Sequence, residues 1–193
     1  HVCLTFAGLL WRVYYNCAST TCAFGSLPTS TDFPNILYRD VYIGQFQWDW
    51  AWYGWFSEVR LYRKALTPAE VFAVRSFDGT NPTAVNSVNA GLLAYYPFHP
   101  NAFLVDASGV TGTLTNTGSV VSQAGSLTDL QNVAYFAQPG GLQISNANRQ
   151  FFTIPSITIG PYFSICVWYN PDATSGSHTR LIQLNSALLT LNY

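Results

Sequence analysis

Several features that define common protein classes are missing from this sequence of 193 residues. Only 9% of the residues are charged and the formal net charge is −1, so the chain lacks the basic surface that nucleic acids and anionic membranes attract. No apolar run reaches the roughly 20 residues needed to cross a bilayer, and no signal-peptide pattern opens the chain. We therefore expect no nucleic-acid partner and no membrane insertion.

Methionine and N-glycosylation sequons are absent as well. The chain starts at His1 and contains no methionine, so we expect a processed product or a segment of a longer polypeptide. No asparagine begins an N-x-S/T sequon, because Asn81 is followed by Pro82 and no other asparagine has Ser or Thr two residues on. Any glycan would therefore be O-linked, and the candidate carriers are Thr20-Thr21 and the hydroxyl-rich stretches 26–31 and 111–119.

Signatures of catalysis and of nucleotide or zinc binding are also missing. Glycoside hydrolysis needs paired carboxylates, yet Glu58 is followed two residues later by Arg60, which predicts an ion pair instead. His1, His99 and His178 lie in separate segments, without a nucleophile motif such as G-x-S-x-G or a metal-ligand spacing. We expect no enzymatic activity and no cofactor from these residues.

Aromatic residues, by contrast, are abundant, at 16% of the chain. Many large apolar side chains combined with few charges indicate a surface that partners or sugars partly cover. Trp48, Trp50 and Trp52 are two residues apart, so their rings share one face of an extended chain, and Tyr53 and Trp55 continue the segment. This segment could fill the core, form a contact between subunits, or stack on sugar rings.

The chain is organised around residues 54–75, GWFSEVRLYRKALTPAEVFAVR. This stretch predicts a β-strand followed by a short helix near 68–75. Thr67 is placed to cap the helix, Pro68 suits its first position, and Glu70 completes a T-x-x-E capping box.

Alternating and apolar runs predict β-strands elsewhere. The runs at 2–6 and 11–15 predict a β-hairpin. Residues 23–37 contain turn formers and predict a surface loop, and the polar stretch 76–91 predicts a linker. The remaining strand blocks lie at 40–45, 91–98, 133–155, 163–169, 179–184 and 187–192.

Stretches along nearly the whole chain resemble parts of the LamG-like, concanavalin A-like jelly rolls, which include laminin G domains and pentraxins. EVRLYRKALTPAEV resembles the closing strand and short helix of such a module, VCLTF…WRVYY its hairpin, and GLLAYYPF…DASG its opening. Residues 133–155 and 163–169 resemble its third and fourth strand blocks. The resemblance implies an all-β, antiparallel β-sandwich with one short helix. It also implies that 1–75 is a C-terminal half-module and 92–193 an N-terminal half-module, joined by the linker. A tandem array, a permuted single domain, and halves exchanged between subunits all give this order.

The resemblance also implies a disulfide. In pentraxins, the strands that correspond to HVCLTF and FSICVWY are neighbours and carry one cysteine each, so Cys3 would pair with Cys166, and Cys17 with Cys22. The alternative is that Cys3 and Cys166 are buried free thiols. An even number of cysteines in a β-rich, hydroxyl-rich chain favours an oxidising compartment.

Asp106 is the one candidate metal ligand. Together with Ser108 it resembles a turn that helps to hold calcium in several relatives. Calcium takes about six to eight oxygen ligands, usually from several carboxylates, and this chain offers few. An Asx turn is the alternative role for Asp106.

Together these features predict an extracellular structural and interaction protein, secreted or at the cell surface. It would be a jelly-roll repeat or subunit that assembles into a filament or cell-surface appendage, through the aromatic segment Trp48 to Trp55. Its partners would be copies of itself, neighbouring repeats, or glycans. The alternative function is a carbohydrate-binding, lectin-like module in which the same rings line a sugar groove.

Overall fold

A computed structural model describes residues 1–8, 10–16, 24–27, 36–38, 41–44, 54–75, 89–98, 100–124, 132–136, 151–155, 157–171, 179–184 and 187–191. Over these ranges the chain is mostly β-structure with antiparallel pairing and one short α-helix, so the predicted all-β class is confirmed. The elements are β1 (Val2–Ala7), β2 (Leu10–Tyr15), β3 (Phe24–Leu27), β4 (Ile36–Tyr38), β5 (Val41–Ile43), β6 (Gly54–Tyr62), α1 (Pro68–Arg75), β7 (Leu92–Tyr96), β8 (Thr115–Thr117), β9 (Val121–Ala124), β10 (Asn132–Phe136), β11 (Phe151–Ile154), β12 (Ile157–Ile159), β13 (Tyr162–Pro171), β14 (Thr179–Leu184) and β15 (Ala187–Leu191).

Two main sheets contain most of these strands. The first sheet has the order β3-β2-β1-β13-β6-β10-β9, and β7 also pairs with β6. The second sheet has the order β15-β14-β5-β11-β8, and β4 pairs with β12 in a small separate sheet. Strand β6, from the stretch around which the sequence is organised, therefore lies inside the first sheet with partners on both sides.

The two main sheets share one apolar core. Packing two sheets through their apolar faces is the arrangement of a β-sandwich, whereas the jelly-roll path of the strands stays a prediction. Side chains of this core that are 2% exposed or less include Phe6, Phe56 and Phe163 from the first sheet, and Ile43, Phe152 and Ile182 from the second.

The predicted hairpin is formed by β1 and β2. Val2 pairs with Tyr15 at one end and Ala7 with Leu10 at the other. Gly8, at the turn, has a φ of +68°, a left-handed conformation that glycine adopts without steric cost. The turn thus reverses the chain sharply.

Part of the segment predicted as a surface loop is β-structure, so that prediction was wrong. Strand β3 pairs with the outer edge of β2, and β4 pairs with β12. The partner of β4 is distant in sequence, whereas β2 is the strand that precedes β3. Pairing with these strands outweighs the local turn preference of a residue such as Gly25.

Helix α1 begins at the predicted capping box and ends at Arg75, as expected. The Thr67 backbone N–H donates to Glu70 Oε2 at 2.9 Å, and the Glu70 backbone N–H donates to Thr67 Oγ1 at 3.3 Å. The buried residues Val71 and Val74 attach the helix to the first sheet. They belong to a second apolar cluster, apart from the main core, with Cys3, Tyr14, Tyr62, Leu66 and Cys166.

The halves 1–75 and 92–193 interleave in every sheet. Strands β4, β5 and β6 belong to the first half, yet in the described part of the chain each of their partner strands belongs to the second half. Of the predicted linker, residues 76–88 lie outside the described residues. The structure therefore joins the two halves of one chain into a common set of sheets.

Candidate functional site

The contact between the two halves is the feature that the predicted function needs, and we call it the seam. It consists of the strand pairs β1–β13, β6–β13, β6–β7, β6–β10, β5–β11, β5–β14 and β4–β12. Because β13 lies between β1 and β6, the seam passes through the interior of the first sheet. Separating the halves would expose the paired edges of ten strands at once.

A disulfide crosses the seam. Cys3 on β1 and Cys166 on β13 face each other directly in the ladder, with Cα atoms 4.0 Å apart, and they are bonded. The pairing that the resemblance implies is thus present in the structure. Both residues are fully buried in the cluster that α1 covers. Cys17 and Cys22 lie outside the described residues.

The buried Ser164 on β13 fastens the start of the helix to the other half of the chain. Its hydroxyl donates to the Lys64 carbonyl at 2.8 Å and accepts from the Leu66 backbone N–H at 2.8 Å. Ser164 is 0% exposed, so both bonds are shielded from water. A buried hydroxyl that satisfies two backbone groups fixes the segment between β6 and α1.

A buried charged network lies on the same face of the sheet. Arg60 Nη2 donates to Glu58 Oε2 at 2.6 Å, and the predicted ion pair is confirmed. The Tyr95 hydroxyl of β7 donates to the same oxygen at 2.6 Å, and the guanidinium lies 4.5 Å from the centre of the Tyr95 ring. The side chains of Arg60 and Glu58 are only 5% and 10% exposed. The network thus binds the two halves through a polar contact, which the sequence did not predict for Tyr95.

The same network reaches the end of α1. Arg60 Nη1 donates to the carbonyl oxygen of Val74 at 3.0 Å. Carbonyls in the last turn of a helix lack partners within the helix, and a cation there is favourable to the helix dipole. Arg60 therefore connects the strand, the carboxylate and the helix terminus.

Glu58 has an unusual backbone conformation. Its φ is +55°, in the left-handed region that non-glycine residues seldom adopt. The register between β6 and β13 shifts here, so that Glu58 and Val59 together face one residue, Val167. This is the geometry of a β-bulge, a feature that re-aims side chains and is common beside functional sites. Nothing in the local sequence indicates the bulge.

The pKa of Tyr95 is consistent with its role as a hydrogen-bond donor to Glu58. Burial raises the pKa of the Tyr95 hydroxyl well above its usual value; the positive charge of Arg60 opposes this rise, and the negative charge of Glu58 adds to it. Tyr95 therefore stays protonated and remains a donor to Glu58. Arg60 and Tyr95 both donate hydrogen bonds to the Glu58 carboxylate, and these bonds stabilise the fold.

The predicted aromatic contact can be located only in part. Trp48, Trp50, Trp52 and Tyr53 lie outside the described residues. Trp55 lies on β6, where it is half-buried, and its backbone pairs with Tyr135 and Asn170 of the second half. The described end of the aromatic segment therefore lies on the seam.

Asp106 organises the turn that follows β7. Its two carboxylate oxygens accept hydrogen bonds from six groups. These donors are the backbone N–H groups of Tyr95, Ser108, Val110 and Thr111 and the hydroxyls of Ser108 and Thr111. Asp106 is 7% exposed, and burial alone would raise its pKa, but the donors outweigh burial and lower the pKa below its usual value. The Asx turn that the sequence allowed is therefore present in an extended form.

This donor set does not suit a calcium ion. N–H and O–H groups present positive partial charge to the carboxylate, and a cation would have to displace them. Among the described residues, no group of three or more His, Cys, Asp or Glu side chains is close enough to hold a metal. Calcium binding through Asp106 would therefore require these hydrogen bonds to be given up.

Replacing Asp106 by Asn should lower the free energy of unfolding by about 2–3 kcal/mol at neutral pH, because the amide NH₂ would face N–H donors. The native pKa is lowered, so the carboxylate stabilises the fold above its unfolded pKa of about 4, and this contribution is lost as pH falls through the native pKa. The difference between the two proteins should therefore shrink in acid. Urea unfolding at neutral and acidic pH measures it.

Ser108→Ala is the matched control, because it removes one hydroxyl and leaves the carboxylate in place. It should cost only about 1 kcal/mol and show little dependence on pH. An equal loss for Asp106→Asn and Ser108→Ala at every pH would contradict the role given to the Asp106 charge.

In the described part of the chain, no helix has the length and apolar character needed to span a membrane. Comparison of the chain with family models, with curated proteins and with solved structures gave no match.

Proposed function

We propose that this protein is an extracellular structural module that builds a filament or cell-surface appendage by joining complementary halves of neighbouring copies. The observation that carries the proposal is the seam. The strands β4, β5 and β6 obtain their partners from the other half of the chain, so neither half has complete sheets without a complement. The complement can come from the same chain or from a neighbour, because only residues 76–91 connect the halves.

Three contacts support a durable junction between copies. The Cys3–Cys166 disulfide would make it covalent, and Ser164 would fix the start of the helix. The network around Glu58 adds a buried polar contact, which favours one register over others because a misaligned half would leave charges unpaired. A disulfide also agrees with an oxidising, extracellular environment.

The resemblance to LamG-like jelly rolls belongs to the same proposal. A C-terminal half-module followed by an N-terminal half-module is the order expected of a segment of a continuous array. Burial of the aromatic segment Trp48 to Trp55 along the seam would add apolar area to each junction. Because the chain carries few charges, electrostatic repulsion between copies would oppose such association only weakly.

An isotope experiment tests the exchange of halves. Light and heavy-nitrogen chains, both carrying Cys17→Ser and Cys22→Ser, are unfolded and reduced, mixed, and allowed to fold and oxidise at high concentration. Mass spectrometry of the peptides linked by Cys3 and Cys166 should then find light peptides bonded to heavy ones, because the disulfide joins different chains. The mixed fraction should fall when the same folding is done at high dilution.

The proposal is contradicted if the chains fold but no light peptide becomes bonded to a heavy one. If all linked peptides are purely light or purely heavy at every concentration, the seam closes within single chains and the proposed junction between copies is wrong. Electron microscopy of the same samples shows whether mixed disulfides accompany filaments.

A further inference from the structure

The two main sheets end together on one side of the molecule. Strand β9 ends the first sheet and β8 ends the second, and only Gly118, Ser119 and Val120 separate them in the chain. The opposite ends of the two sheets are β3 and β15. In the described part of the chain each of these four strands has one partner strand, so no described strand pairs with its outer row of backbone N–H and C=O groups.

The sequences of these end strands lack two of the features that protect an edge from pairing with another chain. Natural edge strands are commonly guarded by charged side chains or proline. The sequences of β3 (FGSL), β8 (TNT), β9 (VSQA) and β15 (ALLTL) contain no Asp, Glu, Lys, Arg or Pro. Val121 on β9 is moreover 47% exposed, although it is a β-branched apolar residue.

The corner beside β9 is fixed before any partner arrives. The Asn116 side chain bonds the backbone of Val120 twice, with Nδ2 donating to the carbonyl oxygen at 2.8 Å and the N–H donating to Oδ1 at 3.0 Å. These bonds hold the chain as it passes from one sheet to the other. A fixed edge loses less conformational entropy on pairing than a mobile one.

We propose that β9 of one copy pairs with β3 of the next, so that the first sheet continues from molecule to molecule. This inference rests on the proposed function, since it supplies a second contact between copies. A second copy is the partner that fits, because both strands are four residues long and lie at opposite ends of the same sheet. Two different strands meet at this contact, so it is head-to-tail, and it extends into an open filament wherever the rotation between copies does not close a ring.

Lysine substitutions in the full 193-residue chain test the edge. Val121→Lys places a charge on β9, and we expect the association constant to fall about tenfold or more, since a lysine on an edge strand opposes its pairing with another chain. Val105→Lys is the matched control, because Val105 is 48% exposed and belongs to none of the strands. Sedimentation and light scattering measure association, and circular dichroism checks that both variants are folded. Equal association of the two variants would overturn the proposal.

Cross-linking identifies the strands that meet. Val121→Cys and Ser26→Cys are made in separate full-length chains, both with Cys17→Ser and Cys22→Ser, and the chains are mixed with a short thiol cross-linker. We expect cross-links between the two variants. Links only between two Val121→Cys chains would indicate a symmetric contact, and absence of links would indicate no edge contact; either result overturns the proposal.

The two proposals fail separately in these experiments. Mixed light and heavy Cys3–Cys166 peptides report exchange of halves, whereas the Val121 to Ser26 cross-link reports the edge. Val121→Lys should reduce the cross-link between copies and leave the mixed peptides unchanged, because Val121 does not belong to the seam.

Discussion

Replacing both Cys3 and Cys166 by alanine should lower the free energy of unfolding by about 4–5 kcal/mol, the upper part of the range for natural disulfides. The two residues are 163 positions apart in sequence, so their bond constrains nearly the whole unfolded chain. Loss of chain entropy in the unfolded state grows with the length of the closed loop. Urea unfolding of the oxidised protein and of the variant, analysed for the midpoint and for the slope, measures the difference.

Cys17→Ala with Cys22→Ala is the control for this effect. The predicted bond between these two cysteines would close a loop of only a few residues, so its removal should cost about 2 kcal/mol. A similar loss for both pairs would show that loop length does not govern the contribution of Cys3–Cys166. An unchanged slope is needed in each case, because a change in slope means that the unfolded state has altered.

Replacing Glu58 by Gln should lower the free energy of unfolding by about 3–5 kcal/mol, because the variant leaves the buried Arg60 guanidinium without a compensating charge. The surrounding contacts cannot relax easily. Arg60 is also bonded to the Val74 carbonyl oxygen and stacked on Tyr95. Replacing Arg60 by Gln as well should recover part of the loss, and a double-mutant cycle gives the coupling energy.

Glu70→Gln is the control for Glu58→Gln, because it makes the same substitution in the ion pair between Glu70 and Lys64, which has the same N–O distance. Glu70 Oε1 and Lys64 Nζ are also 2.6 Å apart, but these side chains are 24% and 28% exposed. A glutamine can still complete the capping box, so we expect a loss below about 1 kcal/mol. If the two variants are equally destabilised, burial does not set the strength of the Glu58 contact.

Local physics explains why some elements were predicted correctly from sequence. The capping box around Thr67 and Glu70 is a pattern within one helical turn, and it forms as expected. The hairpin of β1 and β2 depends on alternation and on a tight turn at Gly8. In both cases the residues that decide the structure are close together in the chain.

Most features that were not predicted depend on contacts between residues that are distant in the chain. Tyr95 bonds to a carboxylate 37 positions away, and neither residue is unusual in its own segment. The bulge at Glu58 arises from the register between β6 and β13, which no local pattern specifies. Strand β3 was missed for a different reason: its partner β2 is the preceding strand, and pairing with β2 outweighs the turn-forming composition of β3.

The position of β13 between β1 and β6 governs when the first sheet can be completed during synthesis. The ribosome must release the segment Tyr162–Pro171 before either neighbour gains its inner partner, so the earlier strands wait with open edges while most of the chain is translated. Such waiting strands are hazards for premature aggregation, and chaperones that shield apolar segments should bind this polypeptide until β13 emerges.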